Sequence, residues 1–389
     1  MTAWLTIIGA GEGLVPSIPA AEIVFGPARL RSRVPDLVEW RSPKLDAMLA
    51  QIMEHRGRPT VVLASGDPMW FGLGATLARH LDPAEYRVEP GPSSFQLAAA
   101  RLHWPMQQVT TLSLHARPVE GLHPHVLPGH RILALTTDAG TAREVAHLLV
   151  GRGYGRSILT ILENLGGPEE AIASSEAQNF ALAIGPLYVL AIECVADAGA
   201  PLLPGIAGLP DNAFVSDGQL TKRDVRAATL ARLAPYPGAR LWDVGAGCGS
   251  IAIEWMRAAR DATAIAFERV LERREMIARN ARNLGTPCLV IVGGDAPASL
   301  AGHATPDVVF VGGDVGDAAL FDACWAALRS GGRLVANAVT LDGEAALFDR
   351  QARLGGELTR FDISTLDHVG GRRVLRPRLP VTQWSVQKP

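Results

Sequence analysis

Lysine is nearly missing from this 389-residue chain: Lys44, Lys222 and Lys388 stand against 34 arginines. A GC-rich genome accounts for such a bias, and guanidinium forks also suit a ligand with many carboxylates. Cysteine is scarce as well. Cys194, Cys248, Cys288 and Cys324 form no CxxC pair and no zinc spacing with histidine. That excludes a disulfide scaffold, argues against a structural metal and points to reduced thiols in the cytoplasm. Long apolar runs are absent: the most apolar stretch, 181–209, is broken by Glu193, Asp197 and several prolines, so no membrane span is expected. The N-terminus has no basic lead, and no secretory signal is expected. Nor does one sign of charge dominate. A net charge of −2 argues against a general nucleic-acid binder.

What is present is enough apolar sequence for two cores. Hydrophobic residues make up 48% and charged residues 20% of the chain, and its length fits two domains of about 190 residues. The stretch 198–212, AGAPLLPGIAGLPDN, reads as a linker. We therefore expect domains at 1–205 and 206–389, both α/β. Short β-rich runs alternate with helical runs on either side, and no period of 20–50 residues repeats. Predicted strands in the first half are 4–8, 60–64, 131–135, 157–162 and 187–193, with helices at 44–56, 72–80, 94–102 and 141–151. In the second half strands are predicted at 240–244, 263–268, 288–292, 307–311 and 333–338, with helices at 222–233, 250–259, 271–284 and 318–328.

The most informative motif is LWDVGAGCGS. An apolar strand ends at Asp243, then Gly245, Ala246, Gly247, Cys248 and Gly249 form a G-x-G-x-G turn before a helix. Such glycines let a ligand approach the backbone. Glu268 ends the next strand, where an acid can bind both ribose hydroxyls. Asp295, in Gly294-Asp295-Ala296, can receive an adenine amino group. A nicotinamide dinucleotide wants G-x-G-x-x-G with a pyrophosphate on the helix, and here the third glycine comes one residue early. S-adenosylmethionine carries no phosphate and fits the pattern. Glycine turns alone can be purely structural, but three acids at successive strand ends oppose that reading.

The half from Gly208 to Trp384 resembles the decarboxylating precorrin methyltransferases. The resemblance rests on Gly208 to Asp211, Thr221-Lys222 with Val225-Arg226, Asp243 to Gly249, Gly294 to Pro297 and Phe310 to Asp314. It implies a Rossmann-like class I fold, with S-adenosylmethionine on Thr221, Gly245 to Gly249, Glu268, Asp295 and Ala296. Cys248 stands where threonine is common, and Asp314 where a small residue is common.

In the first half, Ser65-Gly66-Asp67-Pro68, Gly91-Pro-Ser93-Ser94 and Glu163-Asn-Leu-Gly166 form an ordered series. Taken singly, Asp67 can be an Asx turn and Ser93 or Ser94 a helix cap. As a series they resemble the tetrapyrrole methylase family over roughly 4–200. That implies a two-lobed fold whose cleft takes a second S-adenosylmethionine at Ser65, Gly66, Asp67, Ser93 and Ser94. The GAGEG turn at Gly9 to Gly13 has Glu12 where the family often has proline, and it is left out of the expected site.

Together the two resemblances imply a bifunctional C-methyltransferase with two S-adenosylmethionine sites per chain. Its partner would be a precorrin-type tetrapyrrole in cobalamin biosynthesis, which loses carbon dioxide from an acetate arm. We expect a homo-oligomer. The alternatives are a single-site methyltransferase whose N-terminal half binds substrate or serves assembly, a nucleic-acid methyltransferase, and a nicotinamide-dependent oxidoreductase. The N-terminal net charge of −4, against +2 for 211–389, gives the nucleic-acid reading no support. No nucleophile–base pair stands out, and no catalytic acid or base is assigned. His123-Pro124-His125 reads as a loop, with no metal. Candidate partners for substrate carboxylates are Arg372, Arg373, Arg376, Arg378, Lys222, Arg223 and Arg226, although any one of them alone is more simply a solvated charge.

Overall fold

The computed structural model describes residues 3–11, 13, 17–40 and 45–389; Glu12 and the predicted helix start at Lys44 lie outside these. The chain divides into two compact units. One comprises Met1–Val119 and Val126–Pro201, the other Glu120–His125 and Leu202–Pro389.

The first unit carries two five-stranded sheets. The first is all parallel, in the order Leu37–Glu39, Ile23–Gly26, Thr60–Ser65, Leu5–Ala10, Tyr86–Glu89. Its central strands pair from Leu5↔Thr60 to Ala10↔Ser65. Both are continuous apolar runs, because parallel strands are covered on both faces; Leu5, Ile7, Val62 and Leu63 are fully buried. The second sheet is mixed, in the order Val109–Ser113, Arg131–Leu135, Tyr188–Glu193, Ile158–Glu163, Ala171–Glu176. Only its first pair is parallel. The helix Ser94–Leu102 lays Phe95, Ala98 and Ala99 against Leu133, Val189 and Ala191 of that sheet.

The second unit is built on seven strands in the order Val290–Val292, Thr263–Phe267, Arg240–Val244, Val308–Val311, Arg333–Ala338, Val381–Gln387, Glu357–Phe361. The first five run parallel and the last two pair antiparallel. The chain works outward from Arg240–Val244 to one edge and then returns to its other side at Val308–Val311. That reversal is a topological switch point, where open α/β sheets take ligands beyond the carboxyl ends of their strands. Trp255 and Phe310 fill the core on one face, and Trp242, Phe321 and Trp384 fill it on the other. The expected fold holds in both halves: two α/β lobes, then a Rossmann-like doubly wound sheet.

Strands 131–135, 240–244 and 333–338 and helices 94–102 and 141–151 have their predicted bounds, and the other predicted elements shift by a few residues. Several further elements carry no clear signal in the sequence. Ala171–Glu176 is an edge strand, mostly exposed, with no apolar stripe. The helix Leu341–Leu354 buries only Gly343, Leu347 and Arg350. Val381–Gln387 and both strands of the hairpin Ser364–Val369/Arg372–Pro377 are likewise absent from the predicted elements. His123 to His125 belongs to a short 3-10 helix, Val119–His125, and not to a loop.

Candidate functional site

In the second unit the strand Arg240–Val244 carries Asp243 to the switch point, and the glycine turn leads into the helix Ser250–Ala258. Gly245 has φ +74°, and a Cβ there would lie 2.9 Å from the Gly313 nitrogen, so only glycine fits. Asp243 is 1% exposed. Its Oδ2 accepts the Ala252 N–H at 3.0 Å, satisfying a donor of the helix's first turn. Its Oδ1 is buried with no hydrogen-bond partner among the described residues. Burial pushes this carboxyl up to about 7; the Ala252 bond opposes the rise and the Glu268 charge adds to it.

Glu268 follows the strand Thr263–Phe267 and is buried. Its Oε2 accepts the Gly247 N–H at 2.8 Å and its Oε1 the Val270 N–H at 3.0 Å. Each oxygen keeps a further lone pair for a ligand. Asp295 is exposed beyond the strand Val290–Val292. Thr221 stands just before the helix Arg223–Leu233, and its carbonyl accepts from Arg226 at 2.6 Å.

These groups meet. A cavity of about 930 Å³ is lined by Thr221, Asp243, Gly245, Ala246, Gly247, Glu268, Asp295 and Ala296, among others. Cys248 and Gly249 do not line it. Cys248 is 2% exposed in the core, where burial pushes its thiol up, and its carbonyl accepts from Asn280 at 2.9 Å. Gly249 is buried at the helix start. Asp314 reaches the cavity wall, with a left-handed φ of +50° and its carboxylate 3.6 Å from Arg269.

Arg226 has a different place from the one expected. It is fully buried and cannot meet a substrate carboxylate. Its Nε donates to Glu254 at 2.6 Å and its Nη1 to Asp211 at 3.0 Å. Glu254 in turn accepts from the Gly208 and Leu209 N–H groups at 2.6 and 3.0 Å. This cluster ties the segment 208–211 and Thr221 to the helix behind the glycine turn.

In the first unit the singled-out segments also converge, but mainly through backbone. A Cβ on Gly9 would lie 2.5 Å from the Gly66 carbonyl and would run into the Gly91 nitrogen. One on Gly66, whose φ is +64°, would lie 3.4 Å from Ser93 and Ser94 backbone atoms. One on Gly13 would collide with the Gly166 carbonyl. The Gly9 turn therefore stands beside the other segments, although its sequence alone does not place it in the expected site. The side chains in this region are engaged locally. Asp67 Oδ1 accepts the Met69 N–H at 2.7 Å, and the exposed Ser65 accepts from Arg29 at 2.5 Å. Ser93 caps the helix Ser94–Leu102 in a reciprocal box with Gln96, at 3.1 and 2.8 Å. Ser94, half-buried, opens that helix.

The second-unit cavity thus offers an unpartnered buried carboxylate oxygen, a second carboxylate with spare lone pairs, an exposed third carboxylate and a turn open to a ligand. That set suits a ligand with a cationic head, a diol and an amino-bearing base. Among the described residues no group of three or more His, Cys, Asp or Glu is placed to hold a metal. Among them too, no helix is long and apolar enough to cross a membrane.

Known proteins agree with both halves. A family model described as a precorrin methyltransferase domain matches residues 212–388, and one for tetrapyrrole (corrin/porphyrin) methylases matches 18–181. A precorrin-6Y C(5,15)-methyltransferase (decarboxylating) from Sinorhizobium sp is 48% identical over 402 residues, covering 100% of this chain and 97% of its own. Two shorter relatives come from Salmonella typhimurium. A cobalt-precorrin-7 C(5)-methyltransferase is 32% identical, over 43% of this chain and 88% of its own. A cobalt-precorrin-6B C(15)-methyltransferase (decarboxylating) is 30% identical, over 43% of this chain and 89% of its own.

Proposed function

This chain belongs to the family of precorrin-6Y C(5,15)-methyltransferases (decarboxylating), and we propose that its two halves, 1–205 and 206–389, divide that family's work. The enzyme moves methyl groups from S-adenosylmethionine to carbons 5 and 15 of a precorrin-6 intermediate and removes carbon dioxide from an acetate arm, in cobalamin biosynthesis. In the proposed division the first half methylates carbon 5. The second half methylates carbon 15 and decarboxylates. Two observations support this: separate relatives for the two carbons each span 43% of the chain, and the two halves match different family models.

Each half has its own donor site in this reading. In the second, Glu268 accepts the ribose hydroxyls, Asp295 the adenine amino group, and Asp243 Oδ1 the ammonium end. Thr221, Gly245, Ala246, Gly247 and Ala296 shape the wall, while Cys248 and Gly249 hold the turn. In the first, Ser65, Gly66, Asp67, Ser93 and Ser94 border the donor. The bound donor supplies a methyl group already activated on a sulfonium. The chain's task is then alignment, worth about 7–11 kcal/mol when geometry is good, and an electron-rich ring carbon needs no strong base.

The observation that carries the reading is the gathering of Thr221, the glycine turn, Glu268 and Asp295 around one cavity at the switch point. The test is mass spectrometry of the product. The full chain should add two methyl groups and remove one carbon dioxide. At limiting donor, Glu268→Ala should slow carbon dioxide loss and one methylation, while Gly9→Ala slows only the other methylation. Carbon dioxide loss that falls with Gly9→Ala and not with Glu268→Ala would refute the division.

A further inference from the structure

The cavity in the second unit is larger than its arc of cofactor-type residues. Beyond that arc its lining includes the apolar side chains of Val339, Phe361, Ile363, Leu379 and Val381, and Arg378 stands among them in the chain. The structure sorts the seven basic residues that the sequence offers for substrate carboxylates. Arg226 is buried against Glu254. Arg376 pairs with Asp367 at 2.5 Å. Arg372 and Arg373 are exposed on a hairpin strand, Arg223 is exposed on its helix, and none of the three lines the cavity. Of the seven only Lys222 and Arg378 line it; Arg269 and Arg273 line it too, but each is paired with a carboxylate, Asp314 at 3.6 Å and Asp217 at 2.8 Å. Lys222 stands beside Thr221 on the cofactor side, its ammonium donating to the Gly218 carbonyl at 3.4 Å.

Arg378 is different. Its backbone is fixed, the N–H donating to the Ile363 carbonyl at 2.9 Å. The residue is half-buried, and its guanidinium has no hydrogen bond or ion pair among the described residues. Its five N–H donors stand uncommitted beside apolar side chains, and their planar fork matches a carboxylate.

We infer that Arg378 is the residue that seats the tetrapyrrole in the second site, by holding one peripheral carboxylate that does not react. The departing acetate carboxylate then lies against the apolar part of the wall. A guanidinium on the departing group would stabilise its ionised ground state and slow the loss of carbon dioxide. An apolar surface does the opposite, because it withdraws water from the charge. Arg378 is thus a positioning residue for decarboxylation and methylation alike, and it has no part in donor binding.

The inference rests on the reading that this half acts on a tetrapyrrole. The test uses the full chain, its tetrapyrrole substrate and S-adenosylhomocysteine as the donor-site probe. Arg378→Gln should raise the substrate KM by about tenfold or more, the loss of a charged hydrogen bond. It should leave kcat within about threefold and S-adenosylhomocysteine affinity unchanged. Arg378→Lys should recover part of the KM. If Arg378→Gln fails to bind S-adenosylhomocysteine, Arg378→Met, which keeps the stem against the wall, takes its place with the same readouts. An unchanged KM, or faster carbon dioxide release, would overturn the assignment while the functional reading stands. A wild-type chain that does not convert the tetrapyrrole would overturn both.

Discussion

Glu268 and Asp67 are both carboxylates just past a parallel strand and beside a glycine turn, yet they are engaged differently. Glu268 bonds two backbone N–H groups and still lines an open cavity with lone pairs to spare. Asp67 closes its own turn onto Met69. The contrast extends to the whole of each site. The second unit presents acidic side chains at three strand ends. The first brings Gly9, Gly66 and Gly91 together so closely that no Cβ fits between Gly9 and its neighbours, and its serines and aspartate stabilise that arrangement. In the proposed two-site reading, one cofactor would be met by side chains in the second unit and by backbone in the first. Substitutions should damage the two sites in different ways.

The largest effect should come from the support of the second site. Glu254→Ala leaves the fully buried Arg226 guanidinium without its main partner, and it should cost about 3–5 kcal/mol. Calorimetric melting should show the loss in the second unit alone; an equal loss in the first would mean the units do not melt separately.

Next come two paired substitutions. Glu268→Ala should weaken S-adenosylhomocysteine binding at the second site by about 1.5–3 kcal/mol. Gly9→Ala should weaken the first site, because its Cβ meets backbone that cannot yield, with a strain of about 1–3 kcal/mol. Each should leave the other site intact. If either change affected both sites in a binding titration, the division between them would fail.

A pH series sharpens the contrast further. The carboxyl of Asp243 sits up at about 7 because it is buried. Below that pH it holds a proton, which a cationic ligand head must displace. Affinity at the second site should therefore rise with pH, by up to about tenfold per unit, and level off above 7. The same shift has the opposite sign for the empty fold. Ionising a buried, partnerless oxygen is unfavourable, so the stability of the empty second unit should fall as pH climbs from the ordinary carboxylate range through 7. A second-site affinity that is flat between pH 6 and 8 would remove Asp243 from the ligand. Among the described residues the first site shows no such buried carboxyl, and its affinity should be flat.

The smallest effect is expected at Ser93. Losing the cap should cost about 1 kcal/mol of stability and weaken first-site binding less than Glu268→Ala weakens the second. A loss of binding with stability intact would make the hydroxyl a direct ligand.

The second site is more legible in the sequence than the first, for a physical reason. Acids at the ends of apolar strands and a glycine turn before a helix are local patterns, and Asp243, Glu268 and Asp295 can be read from them. The approach of Gly9 to Gly91 joins residues far apart in the chain, so nothing local marks it. Arg226 is misread from sequence because its partner Glu254 lies 28 positions away. The role of Arg378 depends on which arginines the fold leaves unpaired, and no motif records that. Elements such as Ala171–Glu176 and Leu341–Leu354 escape because they bury too little to show a periodic apolar face.

Two donor sites per chain is the central claim, and isothermal titration of the full chain with S-adenosylhomocysteine tests it most directly. The expected result is saturation at two equivalents, with one of the two weakened by about tenfold to a hundredfold in Glu268→Ala. Saturation of the wild-type chain at a single equivalent would contradict it and leave the first half a binding or assembly module.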